Sequence, residues 1–191
     1  MAVAEVETAR APGLVERFGL TERTLHWVHT AGFVAMLATG LVLYLPPLSG
    51  LASRETVKAA HLAVAIAWLT AVVLVAVSGD RAQLRRTRRE IETFTADDVR
   101  WLKREDPAPQ GRFNAGQKVH TVIQAALAVL FIVSGALLWL GERMNAFRFP
   151  GSVALHDGAM YVATFLLLGH LFLALVWPKT RPAMRGILRG T

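Results

Sequence analysis

Four unbroken apolar runs limit what this chain can become. They cover 25–45 (LHWVHTAGFVAMLATGLVLYL), 59–79 (AAHLAVAIAWLTAVVLVAVSG), 119–141 (VHTVIQAALAVLFIVSGALLWLG) and 153–177 (VALHDGAMYVATFLLLGHLFLALVW). About 20 residues of helix cross the hydrocarbon core of a bilayer. Backbone in lipid must satisfy its own hydrogen bonds, and the runs lack the alternation of barrel strands, so they read as helices. With 53% hydrophobic residues in 191, the chain is too apolar for an ordinary soluble domain. The expected fold is an all-α membrane protein, one domain over 1–191. Its four transmembrane helices, at about 22–46, 58–79, 117–141 and 153–177, pack as an up-down-up-down bundle.

The net charge of +7 raises the question of nucleic acid, and the location of the charge answers it. Of 21 Lys and Arg, three precede the first run, ten lie between Asp80 and Lys118, and four follow Trp177. Only Arg54, Lys58, Arg143 and Arg148 occupy the other two loops. This asymmetry is the positive-inside pattern, which places both termini and the central loop in the cytoplasm. The basicity is topological, and no nucleic-acid partner is expected. No cysteine is present, so the chain itself forms no disulfide and ligates no iron–sulfur cluster. Residues 1–20 carry three acidic residues and no apolar core of a cleavable signal, so the first helix is expected to direct insertion.

Between the runs, Thr21 is the expected N-cap of the first helix, and Pro46, Pro47 and Gly50 end it. The central segment 80–116 opens with RAQLRRTRRE, dense enough in positive charge to meet anionic lipid headgroups. TADDVRWLKRE follows with a Thr-x-x-Asp capping pattern and reads as a short amphipathic helix. DPAPQGRFNAGQK is a loop into the third helix, and no internal repeat stands out.

All six histidines lie within the four runs: His26, His29, His61, His120, His156 and His170. Ionisable groups inside a membrane are rare and usually face the bundle interior. His156 and His170 are fourteen residues apart, about 21 Å of helical rise and within roughly 40° of one face. They therefore look into the same interior at two depths. By topology His61 is level with His156, and His26 with His170. Two neutral imidazoles at one level suit a b-type haem, filling both axial positions and leaving one-electron transfer as the chemistry. Gly40, Gly135, Gly158 and Gly169 would let a flat macrocycle approach the backbone. His29, one turn deeper than His26 on roughly the same face, competes with it, and depth does not choose between them.

The stretch GRFNAGQKVH, 111–120, starts the third helix on the basic side. Its plain reading is an N-cap followed by a snorkelling lysine. The same groups also suit a quinone carbonyl: free N–H groups at the helix terminus, the amides of Asn114 and Gln117, close approach over Gly116, and Lys118 for reduced-state charge. His120 is then an interfacial side chain or a proton-handling neighbour.

Taken together, these residues resemble the γ (cytochrome b) subunit of membrane-bound respiratory formate dehydrogenases, within the four-helix di-haem cytochromes b. The resemblance runs from Arg17 to Gly190. It is carried by RTLHW at 23–27, KAAHLAVAIAW at 58–68, RFNAGQK at 112–118, LHDGAMYVATFLLLGH at 155–170, the exit WPKT and the tail MRGILRG. It implies two b-type haems, with His61 and His156 as axial ligands of the outer iron and His26 and His170 of the inner. It implies a menaquinone site, or one for another quinone, at Asn114, Gly116 and Gln117. Arg23 stands where its charge would neutralise a haem propionate. The implied partners are an iron–sulfur subunit, a molybdenum- or tungsten-containing catalytic subunit and the lipid bilayer of the bacterial cytoplasmic (inner) membrane. The implied function is an anchor passing electrons from the outer to the inner haem and on to quinone, while the chain alone oxidises no substrate. The same role in a nickel–iron hydrogenase or a thiosulfate/polysulfide reductase is the alternative, and an intramembrane metal transporter a more distant one.

Overall fold

A computed structural model describes residues 17–190. Its elements are α1 (Leu20–Tyr44), α2 (Arg54–Ser78), α3 (Arg81–Glu92), α4 (Ala96–Lys103), α5 (Ala115–Gly141), α6 (Ser152–Leu171) and α7 (Met184–Arg189). Helices α1, α2, α5 and α6, the last with its extension to Val176, are long and apolar enough to cross a membrane. No strand occurs among the described residues. Helix α6 runs on into a π-turn, Phe172–Val176, closed by Trp177 N–H donating to Phe172 O at 3.0 Å.

The long helices pair as two hairpins, α1 with α2 and α5 with α6. Leu127, Ala159 and Ala163 form the buried centre of the second hairpin, and Phe33 of α1 packs against them to join the two. Small side chains at that centre let helices approach closely, as lipid-solvated packing requires. Large apolar side chains face outward instead: Phe165 is 76% exposed and Leu74 60%. At the end remote from the chain termini, Lys58 of α2 pairs with Glu142 after α5, and the hydroxyls of Tyr44 and Tyr161 meet between α1 and α6.

The other end carries the polar elements, and here two expectations need correcting. Thr21 does not cap α1. The helix begins at Leu20 behind Gly19, whose N–H donates to Glu22 Oε2 at 3.0 Å. The Thr21 hydroxyl instead accepts from Asp80 N–H at 3.0 Å, tying the start of α1 to the turn between α2 and α3. The central segment also holds two helices rather than one. RAQLRRTRRE is helical as α3, because Asp80 accepts from the N–H groups of Ala82 (2.9 Å) and Gln83 (3.0 Å). Arg86–Glu90 (2.8 Å) and Arg88–Glu92 (2.7 Å) add pairs along its face. The capping pattern before α4 is as the sequence indicates, with Thr95 and Asp98 capping each other's backbone.

Three ion pairs, two of them made by Arg112, hold these short helices onto the bundle. Arg112, 15% exposed, donates from Nε to Glu90 at 2.7 Å and from Nη1 to Glu22 at 2.7 Å, clamping α3 and the start of α1 to the loop before α5. Its guanidinium also lies 4.7 Å from the centre of the Phe113 ring. Lys118 in the first turn of α5 donates to Asp98 at 2.7 Å and to Thr93 O at 3.0 Å. Asp98 is 2% exposed and Lys118 8%. Burial works against the Asp98 charge, but hydrogen bonds from Lys118 and Thr95 hold its carboxyl below its usual 3.8. Burial likewise opposes the Glu90 charge, and Arg112 and Arg86 bring that carboxyl below its usual 4.5.

Removing one member of the Lys118–Asp98 pair strands the other. Asp98→Asn is therefore expected to cost about 3 kcal/mol, read as a lower unfolding temperature of the detergent-solubilised protein at neutral pH. A carboxyl with a depressed folded pKa stabilises above its unfolded value and loses that contribution as pH falls through the folded one. The gap between wild type and Asp98→Asn should hold from about pH 8 to pH 5 and close as pH drops below the ordinary aspartate range. A gap that does not change in acid would count against a salt-bridge origin.

Candidate functional site

The four histidines singled out by spacing meet in two pairs across the hairpins. His61, two turns into α2, and His156, in the second turn of α6, have ring centroids 6.2 Å apart. His26, in the second turn of α1, and His170, in the last turn of α6, are 6.3 Å apart. Helix α6 thus supplies one ring to each pair. Two imidazoles bound through nitrogen on opposite sides of one metal, with bonds of about 2 Å, hold their centroids roughly 6.3 Å apart. Both pairs sit at that separation, so these residues fit a haem iron ligated from both sides.

The pair at the end remote from the termini has hydroxyl supports that spacing did not reveal. Thr39 Oγ1 lies 2.8 Å from His61 Nδ1, and Ser134 Oγ lies 2.9 Å from His156 Nδ1. Each hydroxyl gives its own proton to its helix: Thr39 to Ala35 O at 2.9 Å, Ser134 to Leu130 O at 2.6 Å. Each oxygen is then free to accept from a ring protonated at Nδ1, the tautomer in which Nε2 is the unprotonated nitrogen. The glycine after each hydroxyl touches the same ring. A Cβ on Gly40 would stand 3.6 Å from His61 Cε1, and one on Gly135 would stand 3.6 Å from His156 Cε1. Gly158 and Gly169 face open space.

A sequence signal for these supports exists. ATGLVLYL (38–45) and VSGALLWL (133–140) are two versions of one pattern, and a histidine follows each hydroxyl residue by 22 positions. The chain therefore carries a weak internal repeat, contrary to expectation. It escapes notice because only small, common membrane residues carry it, and their role emerges only when α1 lies on α2 and α5 on α6.

The second pair is built differently. His26 Nδ1 is buried without a hydrogen-bond partner among the described residues. His170 is stacked by His120, with centroids 5.3 Å apart and rings 13° from parallel. His29 turns away from this pair to the rings of Trp68 (5.8 Å) and Phe33 (6.2 Å). Gly32 makes room for Trp68, since a Cβ there would come within 2.3 Å of its ring. Of the two residues that depth left open, His26 is the one whose ring faces His170.

At the start of α5, Asn114 and Gln117 form a reciprocal cap. Gln117 N–H donates to Asn114 Oδ1 at 2.8 Å, and Asn114 N–H donates to Gln117 Oε1 at 3.0 Å. The oxygens are committed to the cap and the amide nitrogens are not part of it. The ring of Trp101 from α4 covers Gly116, 3.0 Å from where a Cβ would stand. Lys118, which the sequence offered for reduced-state charge, is engaged by Asp98. Gln117 precedes His120 by one turn, which brings this cap close to the His26–His170 pair. Arg23 donates from Nε to Ile187 O at 3.1 Å and from Nη2 to Leu188 O, so two of its three nitrogens hold the end of α7.

Comparison with known proteins is consistent with this geometry. The family model described as prokaryotic cytochrome b561 matches residues 17–190. The formate dehydrogenase cytochrome b556(fdo) subunit of Escherichia coli K12 is 23% identical over 179 residues, covering 86% of this chain and 80% of the relative. The subunits of that name from E. coli O6:H1 and O157:H7 match to the same extent. With four membrane-crossing helices and a family match over nearly its whole length, the chain belongs to the prokaryotic cytochrome b561 family.

Proposed function

We propose that this chain is the di-haem b membrane anchor and electron-transfer subunit of a respiratory formate dehydrogenase. Electrons would enter from an iron–sulfur subunit served by a molybdenum- or tungsten-containing catalytic subunit, at the His61–His156 end. They would leave at the His26–His170 end to menaquinone or another quinone. The observation that carries this reading is the facing of two histidine pairs at 6.2 and 6.3 Å, each at the spacing of imidazoles sharing one metal. A haem held by two imidazoles supplies one-electron transfer with no open coordination position. The likeness to the formate dehydrogenase subunits, and the RFNAGQK loop, favour formate over hydrogen or polysulfide as the source of electrons.

The remaining assignments follow from the chain's own residues. The concentration of Lys and Arg on the terminal side supports an orientation with both termini and α3 in the cytoplasm of a bacterial inner membrane, by the positive-inside rule. The amide nitrogens of Asn114 and Gln117, together with the N-terminus of α5, would donate to a quinone carbonyl. Gly116 completes that loop, and Trp101 over it would offer the flat apolar wall. Arg23 would turn its third guanidinium nitrogen to an inner propionate. His120, stacked on His170 one turn from Gln117, is placed to carry protons to the quinone side.

Haem per polypeptide in the purified protein, by reduced-minus-oxidised spectra, tests the core of the proposal. Wild type is expected to hold two b-type haems, and His61→Ala and His170→Ala about one each. Well-folded wild-type protein without haem would overturn it. The quinone assignment has its own test, because Asn114→Asp and Gln117→Glu keep the capping oxygens and remove the amide donors. Quinone reduction is expected to fall by about tenfold per lost hydrogen bond, with haem reduction by an artificial donor unchanged. Unaltered quinone kinetics in both variants would move the site elsewhere.

A further inference from the structure

We propose that Thr39 and Ser134 are positioning residues of the His61–His156 site, holding both rings in the Nδ1–H tautomer and making the two haem sites unequal. The inference rests on the haem reading above and adds residues and a consequence to it. Its basis is a geometry that occurs twice. In each hairpin a hydroxyl near the end of the first long helix lies 2.8 to 2.9 Å from Nδ1 of a histidine 22 residues later. In each, a carbonyl of its own helix stands ready to take the hydroxyl proton, which frees the oxygen to accept from the ring. In each, the next residue is the glycine that abuts the same ring at Cε1. Coincidence of hydroxyl, glycine and spacing in both halves points to a built support, not to incidental satisfaction of a polar atom.

The consequence follows from the chemistry of imidazole. An acceptor on Nδ1–H draws the proton outward, raises the basicity of Nε2 and fixes the plane of the ring. A more basic ligand favours the oxidised, more positive iron. The His26–His170 pair lacks this device: His26 Nδ1 has no partner among the described residues, and His170 is held by stacking on His120. Thr39 and Ser134 should therefore depress the midpoint potential of one haem and leave the other alone.

The test is a redox titration of the full-length, haem-loaded chain in detergent or nanodiscs, with the components identified by His61→Ala and His170→Ala. Thr39→Val combined with Ser134→Ala is expected to shift to more positive potential only the component that His61→Ala removes. Thr39→Ser and Ser134→Thr, which keep the hydroxyl, should titrate as wild type. If the double variant retains one haem only, the single variants, each with one hydroxyl left, carry the same test with a smaller shift. Unmoved midpoints, equal movement of both, or movement of the component that His170→Ala removes would overturn the inference while leaving the di-haem reading intact. A wild-type chain without haem would overturn both.

Discussion

An imidazole placed in hydrocarbon has two nitrogens to satisfy and no water to do it. This requirement shapes the His61–His156 end of the bundle. His61 and His156 meet it with a hydroxyl on Nδ1, leaving the second nitrogen of each ring for the space between the hairpins. The hydroxyls in turn lean on carbonyls of their own helices, so the support costs the helix no backbone hydrogen bond. Helix register, small residues at the ring edges and the facing of the two hairpins all serve this arrangement.

The two ends of the bundle solve different problems. At the end with few charges, an ion pair, a pair of tyrosine hydroxyls and an Arg54 hydrogen bond to Leu43 O join the helices. At the basic end, the chain builds a polar layer from α3, α4, α7 and the loop before α5. Arg112 ties α3 and the start of α1 to that loop, and the buried Lys118–Asp98 pair anchors α4 to α5. Buried pairs of this kind contribute little net stability, but breaking one is costly, so they act mainly to specify geometry. The geometry they specify is the first turn of α5, where the Asn114–Gln117 cap stands one turn from His120.

The asymmetry between the histidine pairs gives the fold a direction. A repeated hairpin would naturally give two equal sites. Here the repeat extends to the hydroxyl, the glycine and the histidine at one end only, whereas the other pair draws on His26 and His170, at positions the repeat does not relate. One pair is hydrogen-bonded into place and the other is packed by aromatic and imidazole rings. On the proposed haem reading, different surroundings for the two ligand pairs would set different potentials.

Much of this was determined by the sequence alone, because the physics is local or one-dimensional. Run length against bilayer thickness gave four helices, and a fourteen-residue spacing on one helix placed His156 and His170 on one face at two levels. The Thr95–Asp98 cap was readable for the same reason, since its partners are three residues apart. What depended on contacts between distant segments was not readable. Thr21 binds Asp80 instead of capping α1, and the arginine-rich segment is helical because a cap and a distant arginine hold it. Lys118 is spent on Asp98, His29 turns to Trp68, and Thr39 and Ser134 become partners of histidines 22 residues away. A side chain's chemistry is written in the sequence, but which of several partners it meets is settled by how the helices rotate against one another, and only the tertiary structure decides that.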